Sequence, residues 1–211
     1  MVKIFVFHSL IDDLLHNISL YDLREILNSE DINKCETFIN KKSRLQFLAG
    51  RLLLCRGLDK LYRSSLIKNV NFSESGKPYI EGINFNISHS GSLIALIITE
   101  SSMRVGIDVE KVLDDLDYKE IIDSLESNIL NESTNSDDFI YRWTIIESII
   151  KASDRSLDEV DEVKRYNESM YGFDSQLFKV ESVKLDSYWI SYAIETTDLN
   201  NYTVIKEVIK K

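Results

Sequence analysis

The chain has 211 residues, a formal net charge of −10 at pH 7 and a hydrophobic share of 44%. That length suits one large domain or two small packed ones, and the apolar share excludes a chain disordered over most of its length. The acidic balance argues against nucleic-acid binding, no apolar run is long enough to span a bilayer, and two cysteines, Cys35 and Cys55, exclude a disulfide framework. With no signal-peptide pattern in MVKIFVFHSLIDDLLHN, the expected compartment is the reducing cytoplasm.

In chain order, Lys3–Phe7 is predicted as a strand and Ile11–Asn28 as helical. Lys41–Leu61 is the clearest predicted helix, because Leu45, Leu48, Leu52, Leu53 and Leu54 recur at helical spacing between basic residues. Val70–Phe72 reads as a short strand before a turn at Ser75-Gly76. Phe85–Ile87 and Leu93–Thr99 read as strands joined by a tight polar turn, Ser88-His89-Ser90-Gly91. Arg104–Val112 is predicted as a strand, and Tyr118–Leu130 and Asp138–Ala152 as helices with a polar loop between them. Phe178–Lys184, Tyr188–Ile194 and Tyr202–Val208 close the chain as strands. The order strand, helices, strands occurs twice. The expected class is therefore α+β in two halves, residues 1–100 and 101–211, with no sequence repeat between them. Charge follows the division: the first hundred residues hold 12 basic and 11 acidic side chains, the remainder 13 and 24. Basic residues gather at Lys41, Lys42, Arg44, Arg51 and Arg56, and acids between Asp108 and Asp138. One half can face a polyanion and the other a cation, although charge alone is better explained by solvated surface.

Four segments carry candidate chemistry. In Val105-Gly106-Ile107-Asp108-Val109-Glu110, strand alternation turns Asp108 and Glu110 to one face. Two neighbouring carboxylates repel unless a hard cation sits between them, and Mg²⁺ takes one or two carboxylates with substrate phosphate; an exposed acidic strand face is the plainer explanation. In Trp143–Ala152, Glu147 and Lys151 are helical i,i+4 neighbours. A surface ion pair would explain them, but Trp143, Ile146, Ile149 and Ile150 crowd both sides, so partial burial is expected. In Phe85–Ser90, His89 sits in a polar turn whose backbone N–H groups make a reasonable anion seat. In Gly76-Lys77-Pro78-Tyr79, glycine permits an unusual turn and the only proline stiffens its exit, which holds Lys77 available to a phosphate.

Taken together and in this order, these segments resemble the surfactin-synthetase-activating type of 4′-phosphopantetheinyl transferase. The matching residues are Gly76-Lys77-Pro78, Phe85–Ser90, Gly106–Glu110, and Trp143-Thr144 with Glu147-Ser148 and Lys151-Ala152. Arg44 with Phe47–Arg51 is similar to the family's first-half helix. The resemblance covers residues 34–152. It implies a pseudo-twofold α+β fold with the active site in the cleft between halves. It implies that Asp108, Glu110 and Glu147 hold Mg²⁺ against the pyrophosphate of coenzyme A. Lys77, Pro78, Ser88, His89, Arg44 and Arg51 would contact coenzyme A, with His89 at the 3′-phosphate. Lys151 would steady the leaving group and Glu147 would act as base. The expected reaction moves phosphopantetheine onto a serine of an apo acyl or peptidyl carrier protein and releases 3′,5′-ADP, with the enzyme a monomer that needs neither nucleic acid nor membrane. The chain departs from the family it resembles at Ile146, where a lysine is usual, and at Ser153-Asp154-Arg155-Ser156-Leu157, where a glycine-containing turn is usual. If position 146 faces the site, Ile146→Lys should raise rate or affinity; if it packs in the core, the same change should destabilise. The alternative function is a degenerate relative that binds coenzyme A or a carrier protein without turnover.

Overall fold

The computed structural model describes all residues except 17, 19, 74, 75, 114, 197–200 and 211, and of residues 20–22 the backbone alone. The elements are strand β1 (Val2–Leu10), helices α1 (Ile11–Leu15), α2 (Leu20–Ile26), α3 (Ser29–Thr37) and α4 (Lys41–Lys60), and strands β2 (Asn71–Phe72), β3 (Pro78–Tyr79), β4 (Asn84–Ser90), β5 (Leu93–Thr99) and β6 (Val105–Lys111). Helices α5 (Tyr118–Asp123), α6 (Asn128–Asn131) and α7 (Ser136–Ser153) follow, then strands β7 (Lys164–Arg165), β8 (Met170–Phe173), β9 (Gln176–Leu185), β10 (Tyr188–Glu195) and β11 (Tyr202–Ile209). Short 3₁₀ turns cover Ser64–Asn69 and Leu157–Glu162. The mixture is α+β. None of the described helices is long and apolar enough to cross a membrane, and Cys35 and Cys55 are both free thiols.

The chain divides into two compact units: Met1–Phe85 with Ser92–Ser102 and Tyr202–Lys211, and Asn86–Gly91 with Met103–Asn201. A single boundary near residue 100 accounts for one of the points at which the chain changes unit. The others arise because β4 contributes its second half to the second unit and β11 returns to the first.

In the first unit β11 runs parallel to β1, and β1 antiparallel to β5. Every residue of β5 is buried, which is why LIALIIT shows no alternation. Helix α4 lies against it, and Gly57 permits the approach: a Cβ there would stand 2.8 Å from Leu96 Cδ2. Helix α3 went unpredicted because its nine residues bury little but Asp31. It starts on a capping box in which Asn28 Oδ1 accepts from Asp31 N at 2.8 Å and Asp31 accepts from Asn28 N.

In the second unit the sheet order is β6-β10-β9-β8-β7, with β10 antiparallel to both neighbours. Helix α7 covers it, and Phe139, Ile145, Ile146, Ile149 and Ile150 join Phe178, Val180 and Ala193 in one core. The predicted helix Tyr118–Leu130 is two, α5 and α6. The Ser127 hydroxyl accepts the Leu130 N–H and so starts a new helix where the pattern suggested continuation.

Candidate functional site

Alternation along β6 places Gly106, Asp108 and Glu110 on one face and Ile107 and Val109 on the other. The first face lies against α7. A Cβ on Gly106 would come within 2.1 Å of the Ser148 carbonyl oxygen and 2.5 Å of the Ala152 amide nitrogen, both helix backbone. The register agrees, since Asp108 pairs with Ser191, whose hydroxyl is 2.8 Å from that of Thr144 on α7. Glycine at 106 thus lets the helix settle directly over the two acids.

Helix α7 begins at Asn135, whose side chain accepts from Asp138 N, and ends at Asp154, which takes the left-handed conformation with φ 57. Aspartate tolerates that conformation better than most residues, so the turn forms without a glycine. Glu147 and Lys151 lie one turn apart on the helix. The Lys151 ammonium is 2.5 Å from Asp108 Oδ1 and 2.9 Å from Glu147 Oε2, and so bridges strand and helix. Asp108 is 1% exposed and Glu147 8%. The acids are therefore not an exposed strand face, and the i,i+4 pair is not a surface pair.

Burial, followed by the charge of Asp108, pushes the Glu147 carboxyl up from 4.5 to about 7. The same two causes in the same order raise Glu110. Burial opposes the charge on Lys151 most strongly, but the attraction of Asp108 and then Glu147 outweighs it, and its pKa is raised. Two carboxylates thus hold one ammonium and a third, Glu110, feels its charge, so three acids face one lysine when all are ionised. Asp108 Oδ2 is buried and has no hydrogen-bond partner. Among the described residues no group of three or more His, Cys, Asp or Glu is placed to hold a metal ion. What does fit a hard divalent cation is the donor chemistry: an unpartnered buried carboxylate oxygen with two further carboxylates coupled to it.

The structure revises the segment Ser88–Gly91. Ser88, His89 and Ser90 are strand residues of β4, and the turn is Gly91-Ser92. Ser88 and Ser90 therefore share one face, and His89, which is exposed, lies on the other. The Ser88 hydroxyl is committed to its own unit: it donates to Asp108 Oδ1 at 2.9 Å and accepts from Val109 N at 3.3 Å and from Lys151 Nζ at 3.4 Å. Its proton is thus directed at Asp108.

In the first unit, Lys77 and Pro78 follow a turn in which Gly76 has φ +81 and its N–H donates to Ser73 O; Ser75 lies outside the described residues. The Lys77 N–H donates to Ser73 Oγ at 3.1 Å. Arg44 is exposed and donates to Phe38 O at 3.0 Å. Arg51, by contrast, is 2% exposed. It donates from Nε to Asp31 at 2.7 Å and stacks its guanidinium near the Phe47 and Phe72 rings. That buried pair ties α4 to α3, so Arg51 is a structural residue and not an open ligand contact. Ile146 is fully buried in the core of the second unit; of the two positions open to it, the core one holds.

The site is thus a largely buried acid cluster with one lysine on an α+β scaffold. No family model matches the chain. Two curated proteins do. One, from Haemophilus influenzae and provisionally named a 4′-phosphopantetheinyl transferase, is 30% identical over 118 residues, which is 50% of this chain and 48% of that protein. The other, the 4′-phosphopantetheinyl transferase of Bacillus subtilis, is 30% identical over 141 residues, or 62% of each. The chain spans about half to three fifths of the length of these curated relatives.

Proposed function

We propose that the chain transfers 4′-phosphopantetheine from coenzyme A to a serine of an apo carrier protein, releasing 3′,5′-ADP. The observation that carries this reading is the coupled set Asp108, Glu110, Glu147 and Lys151, buried or half-buried under α7 in a chain similar to two proteins bearing that name. Asp108, Glu110 and Glu147 would hold Mg²⁺, which when bound neutralises pyrophosphate oxygens. Glu147, directly or through a water on the cation it would help to hold, is the candidate to accept the proton of the carrier serine. The serine oxygen then forms a bond to the phosphorus that bears pantetheine, the bridging P–O bond to the nucleotide phosphate breaks, and the proton rests on Glu147. Lys151, already charged, donates to phosphate oxygen as charge gathers on the departing 3′,5′-ADP. His89, Lys77, Pro78 and Arg44 are read as contacts of coenzyme A, His89 with its 3′-phosphate. The same reading takes the two units as halves of a duplicated fold, since each sets one long helix against a sheet.

A relative without turnover has less to support it than the sequence implied. Ile146 packs in the core, so its lack of charge takes nothing from the acid cluster. The test is release of 3′,5′-ADP from coenzyme A in the presence of apo carrier proteins and Mg²⁺. Release should require both and should vanish with EDTA or in Asp108→Ala. Full activity of that variant, or release undiminished by EDTA, refutes the assignment of the metal.

A further inference from the structure

Strand β6 is the edge of its sheet, paired on one side with β10. On the other side its N–H groups would be bare donors, which a buried edge cannot leave unsatisfied. They are met by side chains of the second half of β4. Ile107 N donates to Asn86 Oδ1 at 3.0 Å, Val109 N to Ser88 Oγ at 3.3 Å and Lys111 N to Ser90 Oγ at 3.2 Å. The two partners of each bond are 21 positions apart, so Asn86, Ser88 and Ser90 form a comb of period two against alternate residues of β6.

The chemistry of each tooth follows what stands beside it. A serine oxygen that has accepted an amide proton still has its own proton to give. An amide can only donate and an ionised carboxylate can only accept, so the direction is forced. Ser88 gives its proton to Asp108 Oδ1 at 2.9 Å, and Ser90 gives its own to Glu110 Oε2 at 2.8 Å. Each hydroxyl thus locks a carboxylate to the amide of the next residue. The remaining tooth, Asn86, stands where β6 has Gly106 and no acid. Serine occurs where there is a carboxylate to orient, and asparagine where only an amide must be met.

We propose that Ser90 and Ser88 are positioning residues that set the orientation of Glu110 and Asp108 from a neighbouring strand. Ser90 is the informative one, because Ser88 also meets Lys151. The catalytic consequence rests on the transferase reading, whereas the effect on a cation does not. The experiment compares wild type, Ser90→Ala and Ser90→Thr by three measurements: calorimetric titration with Mn²⁺ alone, kcat and KM for coenzyme A in transfer, and hydrogen exchange of the Lys111 amide. Loss of an orienting partner costs about 10–100-fold in metal affinity or activity. Ser90→Ala should therefore lower Mn²⁺ affinity and kcat by about that factor, leave KM for coenzyme A within about twofold, and expose the Lys111 amide. Ser90→Thr, which keeps the hydroxyl, should restore all three. Wild-type kcat and Mn²⁺ affinity in Ser90→Ala would overturn the proposal, as would a threonine variant that protects Lys111 yet restores neither. If wild type transfers nothing but binds Mn²⁺, the transferase reading fails and the titrations still decide the role of Ser90. A wild type that neither transfers nor binds Mn²⁺ overturns both.

Discussion

Replacing Gly106 with alanine should force α7 away from β6 and disable the acid cluster at a moderate cost in stability. The added Cβ would meet the Ser148 carbonyl oxygen at 2.1 Å, the Ala152 amide nitrogen at 2.5 Å and the Ala152 Cα at 3.0 Å, where ordinary contact begins at 3.4 Å. All three are backbone atoms of the helix, so no side chain can swing aside and the helix itself must retreat by about 1 Å. Overpacking of this kind costs roughly 1–3 kcal/mol, which for a chain of this size lowers the melting temperature by about 4–8 °C at the middle of that range. The site should suffer more. Lys151 reaches Asp108 at 2.5 Å from the same helix turn that Gly106 touches, and a displacement of about 1 Å at reacting groups can cost 10²-fold in rate. Thermal melting and transfer to an apo carrier, measured on one preparation, separate the two effects. Gly106→Ala with unchanged melting temperature and unchanged rate would refute the close approach of helix and strand on which the site depends.

Two further outcomes follow from burial. Ile146→Lys places an unpaired ammonium among Ile145, Ile149 and Phe178 and should cost several kcal/mol, a large part of the total of about 5–15; a near-native melting temperature with increased transfer would show that the residue faces the site after all. Glu147 has a folded pKa of about 7 against 4.5, so the folded state binds its proton more tightly than the unfolded. Its contribution to stability is full below about pH 4.5, falls as pH rises towards 7 and is gone above it. Chemical denaturation of wild type and Glu147→Gln across that window should give a stability difference that changes in that direction, and a difference constant with pH would contradict it.

The acids of β6 and the pair on α7 were legible because their signals are local. Asp108 and Glu110 differ by two in a strand, and Glu147 and Lys151 by four in a helix. What joins them, Lys151 to Asp108 across 43 positions, is tertiary and leaves no periodic trace. The comb on β4 did leave one, Asn86-x-Ser88-x-Ser90, but small polar residues also favour turns, and that preference concealed a strand. Alternation carried on from Phe85 would have recovered it. Arg51 misled for a related reason: a basic residue on a leucine-rich helix reads as an exposed anion contact, and its buried partner Asp31 lies on another helix 20 positions earlier. The helix registers were sound where leucine or isoleucine repeats are long, as in α4 and α7, and failed where a serine cap interrupts the pattern, as between α5 and α6.

The central claim is transfer itself, and the most direct measurement is the intact mass of an apo carrier protein after incubation with this chain, coenzyme A and Mg²⁺. The account predicts a gain of one phosphopantetheine on the carrier's acceptor serine, absent when that serine is alanine and absent with Asp108→Ala. Coenzyme A bound by the chain, with every carrier supplied remaining at its apo mass, would contradict it.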